Sequence, residues 1–262
     1  MNIVVCIKQV PDTTEIKIDP VKNTLIRQGV PSIMNPFDKN ALETALQLKD
    51  AYGGKVVAIA MGPQQAKAVL REAISMGADE GYLVTDRAFG GSDTYATSYI
   101  LSQAIEKLGP FDVIMGGKQA IDGDTGQTAP SIAEHLGATR LTYVLDLKAE
   151  GDKVIARRQV EEGIEVIETK FPVLCTATKE SNKPRYATVS RKLYSLRCDI
   201  PELTIADFPD IDTTKIGLKG SPTKVKATFT PKRTATGVNI EGNSPAEMAG
   251  SLIDKLAEAK VL

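Results

Sequence analysis

The densest concentration of chemistry-bearing residues lies at positions 116–128, Gly-Gly-Lys-Gln-Ala-Ile-Asp-Gly-Asp-Thr-Gly-Gln-Thr. An apolar run, Val113-Ile114-Met115, empties into this segment, and a helical pattern follows from near Ala129-Pro130 to a stop at Gly137. A strand that gives way to glycines and then to a helix start leaves backbone N–H groups unpaired at the positive end of a helix, where a phosphate can be held. Thr125, Gln127 and Thr128 add side-chain donors there. The spacing is neither GxGxxG nor a P-loop, and Asp122 and Asp124 oppose an anion unless they turn toward caps, ribose hydroxyls or Lys118. The competing reading is a long strand-to-helix connection whose Asp and Gly residues only make turns.

Other chemistries find less support. The single histidine, His135, stands near the end of the helix after the loop and reads as a capping or surface residue. A Ser-His-Asp hydrolase would have to use it without a GxSxG elbow. Cys6, Cys175 and Cys198 are odd in number, widely spaced and without CxxC, so they read as reduced structural thiols, neither a disulfide framework nor a zinc site. Lys and Arg total 32 against 33 Asp and Glu, which removes the basic field that nucleic acid requires. Apolar stretches such as positions 56–61 fall far short of the roughly 20 residues that span a bilayer, and the N-terminus enters a strand pattern instead of a signal peptide. The expectation is a cytoplasmic protein without a membrane span.

The elements around the loop alternate. Positions 3–7 form a β-branched run suited to a buried parallel strand. Positions 15–26 read as a hairpin excursion. A helix follows, with Asn35 as cap, Pro36 at the first position, Asp38 in the first turn, and a stop at Gly53-Gly54. Strands at 55–61, 81–84 and 113–115 then alternate with helices at 63–76 and from Ser92 or Asp93 to Leu108. This pattern predicts an α/β fold, a doubly wound, mostly parallel, Rossmann-like sheet with right-handed crossovers. Ligands of such sheets lie beyond the carboxyl ends of the strands, near the point where strand order reverses. Three segments leave such ends: 6–10, 60–62 and 116–128. The capped helix start at 35–38 borders the same crevice.

After Leu141 the pattern changes to strand alternation at 142–148, 154–160 and 164–171, with Glu161-Glu162-Gly163 as a hairpin turn. Positions 200–243 hold many prolines and glycines and little periodicity, which predicts a functional extension or an arm laid on a partner. Ser244-Pro245-Ala246-Glu247 is a capping box that opens a final helix with Met248, Leu252, Ile253 and Leu256 on its apolar side, a face for a partner or for the helix's own domain. The expected division is a nucleotide-binding domain at 1–199 and an arm with its helix at 200–262.

These residues resemble the beta subunits of electron transfer flavoproteins over essentially the full chain. The likeness rests on Cys6-Ile7-Lys8-Gln9-Val10-Pro11-Asp12, Met34-Asn35-Pro36-Phe37-Asp38, Met76-Gly77-Ala78-Asp79, Gly117-Lys118-Gln119-Ala120-Ile121-Asp122, positions 157–176 and Pro184-Arg185-Tyr186-Ala187-Thr188. It implies a heterodimer with a larger alpha subunit that carries one FAD, and an adenine nucleotide in the beta subunit. The residues that would hold that nucleotide are Cys6, Lys8, Val10, Asn35, Pro36, Asp38, Met61, Gly62, Gly117, Lys118, Gln119, Ala120, Ile121, Asp122, Gly123, Asp124, Thr125, Gly126, Gln127 and Thr128.

The family comprises simple electron carriers, whose beta site holds AMP, and electron-bifurcating forms, whose beta site holds a second FAD that takes hydride from NADH. Asp122-Gly123-Asp124-Thr125 and the run through Thr13 resemble the bifurcating pattern, whereas Gln127-Thr128-Ala129-Pro130 resembles the AMP-binding type. Glycine at 123 leaves room for a pyrophosphate and lets the backbone approach it. The bifurcating likeness implies an acyl-CoA dehydrogenase or related flavin dehydrogenase as one partner and ferredoxin or flavodoxin as another. It makes the chain an electron-transfer subunit, not a stand-alone enzyme. The alternatives are a plain carrier with AMP and a nucleotide-binding regulatory module.

Overall fold

The computed structural model describes residues 1–12, 31–226 and 237–261. Its first strand, β1 (Asn2–Cys6), buries Ile3, Val4 and Val5 completely, so both faces of the strand are covered. The short strands β2 (Gln9–Pro11) and β3 (Ser32–Met34) pair antiparallel at the flanks of the excursion. The hairpin expected at 15–26 itself lies outside the described residues. Helix α1 (Pro36–Tyr52) starts on proline, whose missing N–H costs nothing in the first turn, and stops at Gly53. The strands β4 (Lys55–Met61), β5 (Glu80–Val84) and β6 (Val113–Gly117) alternate with helices α2 (Lys67–Met76) and α3 (Thr94–Leu108). Asp93 caps α3 by accepting from the Ala96 N–H at 3.1 Å. Helix α4 (Thr128–Leu136) ends at Gly137, whose left-handed φ of 61° suits glycine.

The second half holds the expected antiparallel strands, β7 (Thr139–Glu150), β8 (Lys153–Val160) and β9 (Gly163–Lys170). It also holds two elements that the sequence pattern missed, β10 (Val173–Ala177) and α5 (Val189–Arg197). Strand β10 lies between β6 and β7, parallel to both, and is buried throughout. Five residues after a hairpin gave too short a run to separate from the alternation before it. Among the described residues, nine strands form one sheet in the order β11-β5-β4-β1-β6-β10-β7-β8-β9, where β11 is Glu202–Leu203. Strand order runs outward from β1 through β4 to β5 and then resumes at β6 on the other side of β1. The switch point therefore lies between β1 and β6.

Odd residues of β1 join Leu42 and Leu46 of α1 and Leu70 and Ile74 of α2 in one core face, while Val4 joins Ile100 of α3 and Ile132 of α4 in the other. The first compact unit runs Met1–Lys226 and the second Ala227–Leu262. Residues 200–226, expected in the arm, thus belong to the first unit. Strand β11 pairs with β5, and Leu203, Phe208, Ile211 and Ile216 enter the second core face. Their apolar side chains are spaced irregularly between breakers and pack one at a time, which no period reveals. The short helix α6 (Gly217–Gly220) follows. In the second unit, α7 (Pro245–Glu258) is capped by Ser244, which accepts from the Glu247 N–H at 3.2 Å. Among the described residues, no helix is long and apolar enough to cross a membrane.

One carboxylate ties the elements at the switch point. Asp38, in the first turn of α1 and 6% exposed, accepts the Lys8 N–H at 2.7 Å and the Gly117 N–H at 3.0 Å. A Cβ on Gly117 would stand 2.4 Å from Asp38 Oδ1 and 2.7 Å from the Phe37 carbonyl carbon, so only glycine lets β6 approach the start of α1. Burial pushes the Asp38 carboxyl up to about 7, against the opposing pull of its Lys8, Asn35 and Gly117 hydrogen bonds. Between about pH 4 and 7 the folded protein therefore keeps a proton that the unfolded chain has lost, and the associated stability disappears as pH rises through the folded value. The unfolding free energy of the native chain minus that of Asp38→Asn, measured by urea titration, should fall from pH 5 to pH 8. No change over that interval would show that the carboxyl titrates in the ordinary range.

Candidate functional site

The sequence-predicted residues gather at the carboxyl ends of β1, β4 and β6. Cys6 and Lys8 leave β1, Met61 and Gly62 leave β4, and residues 117–128 leave β6 for α4. Asn35 borders them at the start of α1, but its side chain does not cap that helix. Its Nδ2 donates to the Gln119 carbonyl at 2.8 Å, and its Oδ1 accepts the Ile121 N–H at 3.2 Å. The carboxamide carries one donor and one acceptor side by side, so it pairs with the loop as a neighbouring strand would. The Asn35 N–H donates to the Lys8 carbonyl at 2.9 Å, which locks the β1 exit to the same point. Pro36 contributes the fixed φ that directs α1 away from the loop.

Within the loop, the N–H groups of Gly123 and Asp124 both donate to the Ala120 carbonyl, at 3.3 and 2.9 Å, and make a tight turn. Asp124 and Gly126 are left-handed, with φ of 49° and 62°. Both acids are engaged by neighbours. Asp122 accepts from Lys8 Nζ at 2.7 and 2.8 Å, not from Lys118, and Asp124 accepts from Gln119 Nε2 at 2.9 Å. The Lys8–Asp122 pair is partly exposed and contributes less than about 1 kcal/mol to stability, so its consequence is electrostatic: it neutralises one loop charge. Among the described residues, the N–H groups of Gly126, Gln127, Thr128 and Ala129 have no acceptor. They form the donor set that the loop presents at the start of α4.

Gly123 is exposed, its φ is not left-handed, and a Cβ there would meet nothing within 4 Å. Folding therefore does not require glycine at this position. Burial, then the Asp38 charge, pushes the Cys6 thiol up to about 12, which keeps it neutral and without nucleophilic character at ordinary pH. Val10 is 1% exposed and pairs with Ile33, so it supports the crevice from beneath. Gly62 turns toward β5, donating its N–H to the Val84 carbonyl at 3.1 Å; among the described residues, neither Met61 nor Gly62 makes a polar contact with the β6 loop.

Sequence reasoning missed Tyr143, Thr176 and Thr178. Lys118 Nζ lies 5.1 Å from the Tyr143 ring centroid, and the Tyr143 N–H donates to Thr176 Oγ1 at 3.0 Å. Thr178 Oγ1 is buried and without a partner among the described residues. These residues lie on β7 and just beyond or within β10, and the missed parallel strand hid their proximity to the loop. His135, expected as a cap or surface residue, instead packs between the rings of Tyr95 and Tyr99, each 5.6 Å away. Burial, then Lys215, holds its imidazole below the usual range. A cavity of about 480 Å³ lined by Asp79, Tyr82, Tyr194 and Cys198 lies at the amino end of β5, away from this crevice.

The electron transfer flavoprotein domain matches residues 22–205. The chain is 52% identical to the electron transfer flavoprotein subunit beta of Thermoanaerobacterium thermosaccharolyticum over 262 residues, the whole of both chains. It is 54% identical to the subunit of the same name from Clostridium acetobutylicum over 258 residues, 98% of each chain. It is 48% identical to the caffeyl-CoA reductase-Etf complex subunit CarD of Acetobacterium woodii over 265 residues, again the whole of both. A doubly wound sheet with a donor-lined loop at its switch point, and this degree of identity over complete chains, have one explanation: the chain belongs to the electron transfer flavoprotein family, as a beta subunit.

Proposed function

We propose that this beta subunit serves an electron-bifurcating flavoprotein and that the crevice between β1 and β6 holds FAD. A bound flavin supplies the redox chemistry, accepting hydride from NADH and passing electrons on singly. In this reading one electron goes to a ferredoxin or flavodoxin and the other, through the FAD of the alpha subunit, to an acyl-CoA dehydrogenase or related flavin dehydrogenase. The name of the Acetobacterium relative, a subunit of a caffeyl-CoA reductase complex, supports a partner that acts on CoA thioesters.

The observation that carries the reading is Gly123. The protein itself places nothing against that position, and the open space supports a ligand whose pyrophosphate takes it. The unpaired N–H groups of residues 126–129 fit a pyrophosphate, and engagement of Asp122 by Lys8 and of Asp124 by Gln119 removes the repulsion that an anion would meet. The second reading, a plain carrier with AMP, draws on Gln127-Thr128-Ala129-Pro130. A cytoplasmic setting belongs to either.

We also assign the second unit to the alpha subunit. Helix α7 buries none of its residues, and Met248, Leu252 and Ile253 stay 40–56% exposed on its apolar side. An exposed apolar face of this kind marks a site of interaction with another protein.

Three measurements test these readings. Nucleotides extracted from the purified alpha-beta complex should contain two FAD per heterodimer, and NADH should bleach the flavin absorbance. One FAD with one AMP, and no bleaching, would return the protein to the plain carriers. The Gly123→Glu variant should lose the second FAD, with its thermal midpoint within about 2 °C of the parent, since an exposed substitution away from special features costs at most about 0.5 kcal/mol. Full flavin retention in that variant would remove Gly123 from the site. A chain that stops after Pro231 should no longer copurify with alpha while its sheet domain remains folded by circular dichroism; undiminished copurification would give the arm another role.

A further inference from the structure

Tyr143 stands in a backbone conformation that its side chain disfavours. Its φ is 59°, in the left-handed region, and it is not a glycine, an asparagine or an aspartate. Such a conformation is strained and persists where surrounding contacts impose it. Here they do. Strand β7 bulges against β10: Leu141 pairs with Cys175 and Val144 with Ala177, so Thr142 and Tyr143 together oppose Thr176. Thr176, 1% exposed, spends its hydroxyl on the Tyr143 N–H that the bulge takes out of the ladder. On the other side, Arg158 donates through Nε to the Thr142 carbonyl at 3.0 Å and through Nη2 to Thr142 Oγ1 at 2.9 Å. Bulges beside functional sites re-aim a side chain, and this one turns the Tyr143 ring, 40% exposed, toward the β6 loop.

The ring meets the ammonium of Lys118, 5.1 Å from its centroid. Lys118 is the first residue beyond β6, and its backbone is fixed by the N–H bond to the Ala177 carbonyl at 2.9 Å. Both acids of the loop are engaged elsewhere, Asp122 by Lys8 and Asp124 by Gln119. Among the described residues, Lys118 makes no ion pair. The loop thus carries one cation that no carboxylate neutralises, and the contact that orients it is an aromatic face. An aromatic face attracts an ammonium without cancelling its charge, so the cation stays available to an anion.

We propose that Tyr143 is a positioning residue that holds the Lys118 ammonium as the anion-binding cation of the β6 loop, where it takes a phosphate group of the bound nucleotide. The proposal rests on the nucleotide reading of the crevice and adds the element that orients its charge. The backbone strain is retained because the ring must stand where only the bulge can place it.

The test uses the full-length beta chain in its complex with alpha, freed of the beta-site nucleotide, and titration calorimetry with AMP and with ADP. Tyr143→Phe keeps the ring and should bind as the parent does. Lys118→Met should bind about tenfold more weakly, as expected for loss of a charge-assisted contact, and with a shallower dependence on salt. Tyr143→Gly should bind about fivefold more weakly, yet its thermal midpoint should equal or exceed that of the parent because glycine relieves the strained φ. The two losses should not add: Tyr143→Gly in the Lys118→Met background should change nothing further. Full additivity, or parental affinity in Tyr143→Gly, would overturn the positioning role while leaving the nucleotide site intact. A parent complex that binds neither AMP nor ADP would overturn the nucleotide reading and this inference together.

Discussion

The geometry of the crevice depends on a buried carboxylate that is pulled in two directions. Asp38 must accept N–H groups from the exits of both β1 and β6, and those bonds favour the charged form, as does its place in the first turn of α1. Burial favours the neutral form and prevails enough to lift the group toward 7. A residue that satisfied only burial would leave two backbone donors unpaired at the switch point. One that satisfied only the donors would need water that the approach of Gly117 to Phe37 excludes. The short aspartate side chain on a helix start meets both demands because helix and strands converge there, which is also how the exits of β1 and β6 are tied to α1.

The loop is tied down on one side and open on the other. Asn35 pins residues 119 and 121 of the loop, and Lys118 is tied to β10, so the first half of the loop behaves as an extension of the sheet. The second half, from Gly126 to Ala129 at the start of α4, contributes N–H donors without intramolecular acceptors among the described residues. A loop fixed throughout would have spent those donors on itself, and a loop free throughout would lose ordering entropy on binding. Both loop acids face partners within the protein, so an acid-rich sequence need not repel the anion proposed for this loop.

Much of this was legible because the parallel half obeys simple periods. The strand boundaries at β4, the proline start of α1, the Asp93 cap and the glycine stops follow from local chemistry, and the strand-end rule selected the crevice segments without any contact information. The rest was hidden for identifiable reasons. Strand β10 is too short to announce itself, yet it carries Thr176 and aligns Lys118 with Tyr143. The backbone of residues 200–226 is irregular although its Leu203, Phe208 and Ile211 are core residues, so breaker content was mistaken for detachment from the domain. Asn35 illustrates a subtler limit: its type and place read as a helix cap, but tertiary contact offered its side chain two better partners.

The side chains of the crevice are better suited to holding and polarising a ligand than to making or breaking its bonds. Cys6, the one thiol at the carboxyl end of β1, is kept protonated by burial and by the neighbouring Asp38. Asp38 is committed to two backbone donors, Asp122 to a lysine and Asp124 to a glutamine. Such side chains fit the proposed cofactor, which would carry the chemistry while the protein fixes position and local charge. The strained Tyr143 fits that division: its cost is accepted in the backbone of β7, two strands from β6, where it aims a charge without perturbing the hydrogen bonds at the switch point.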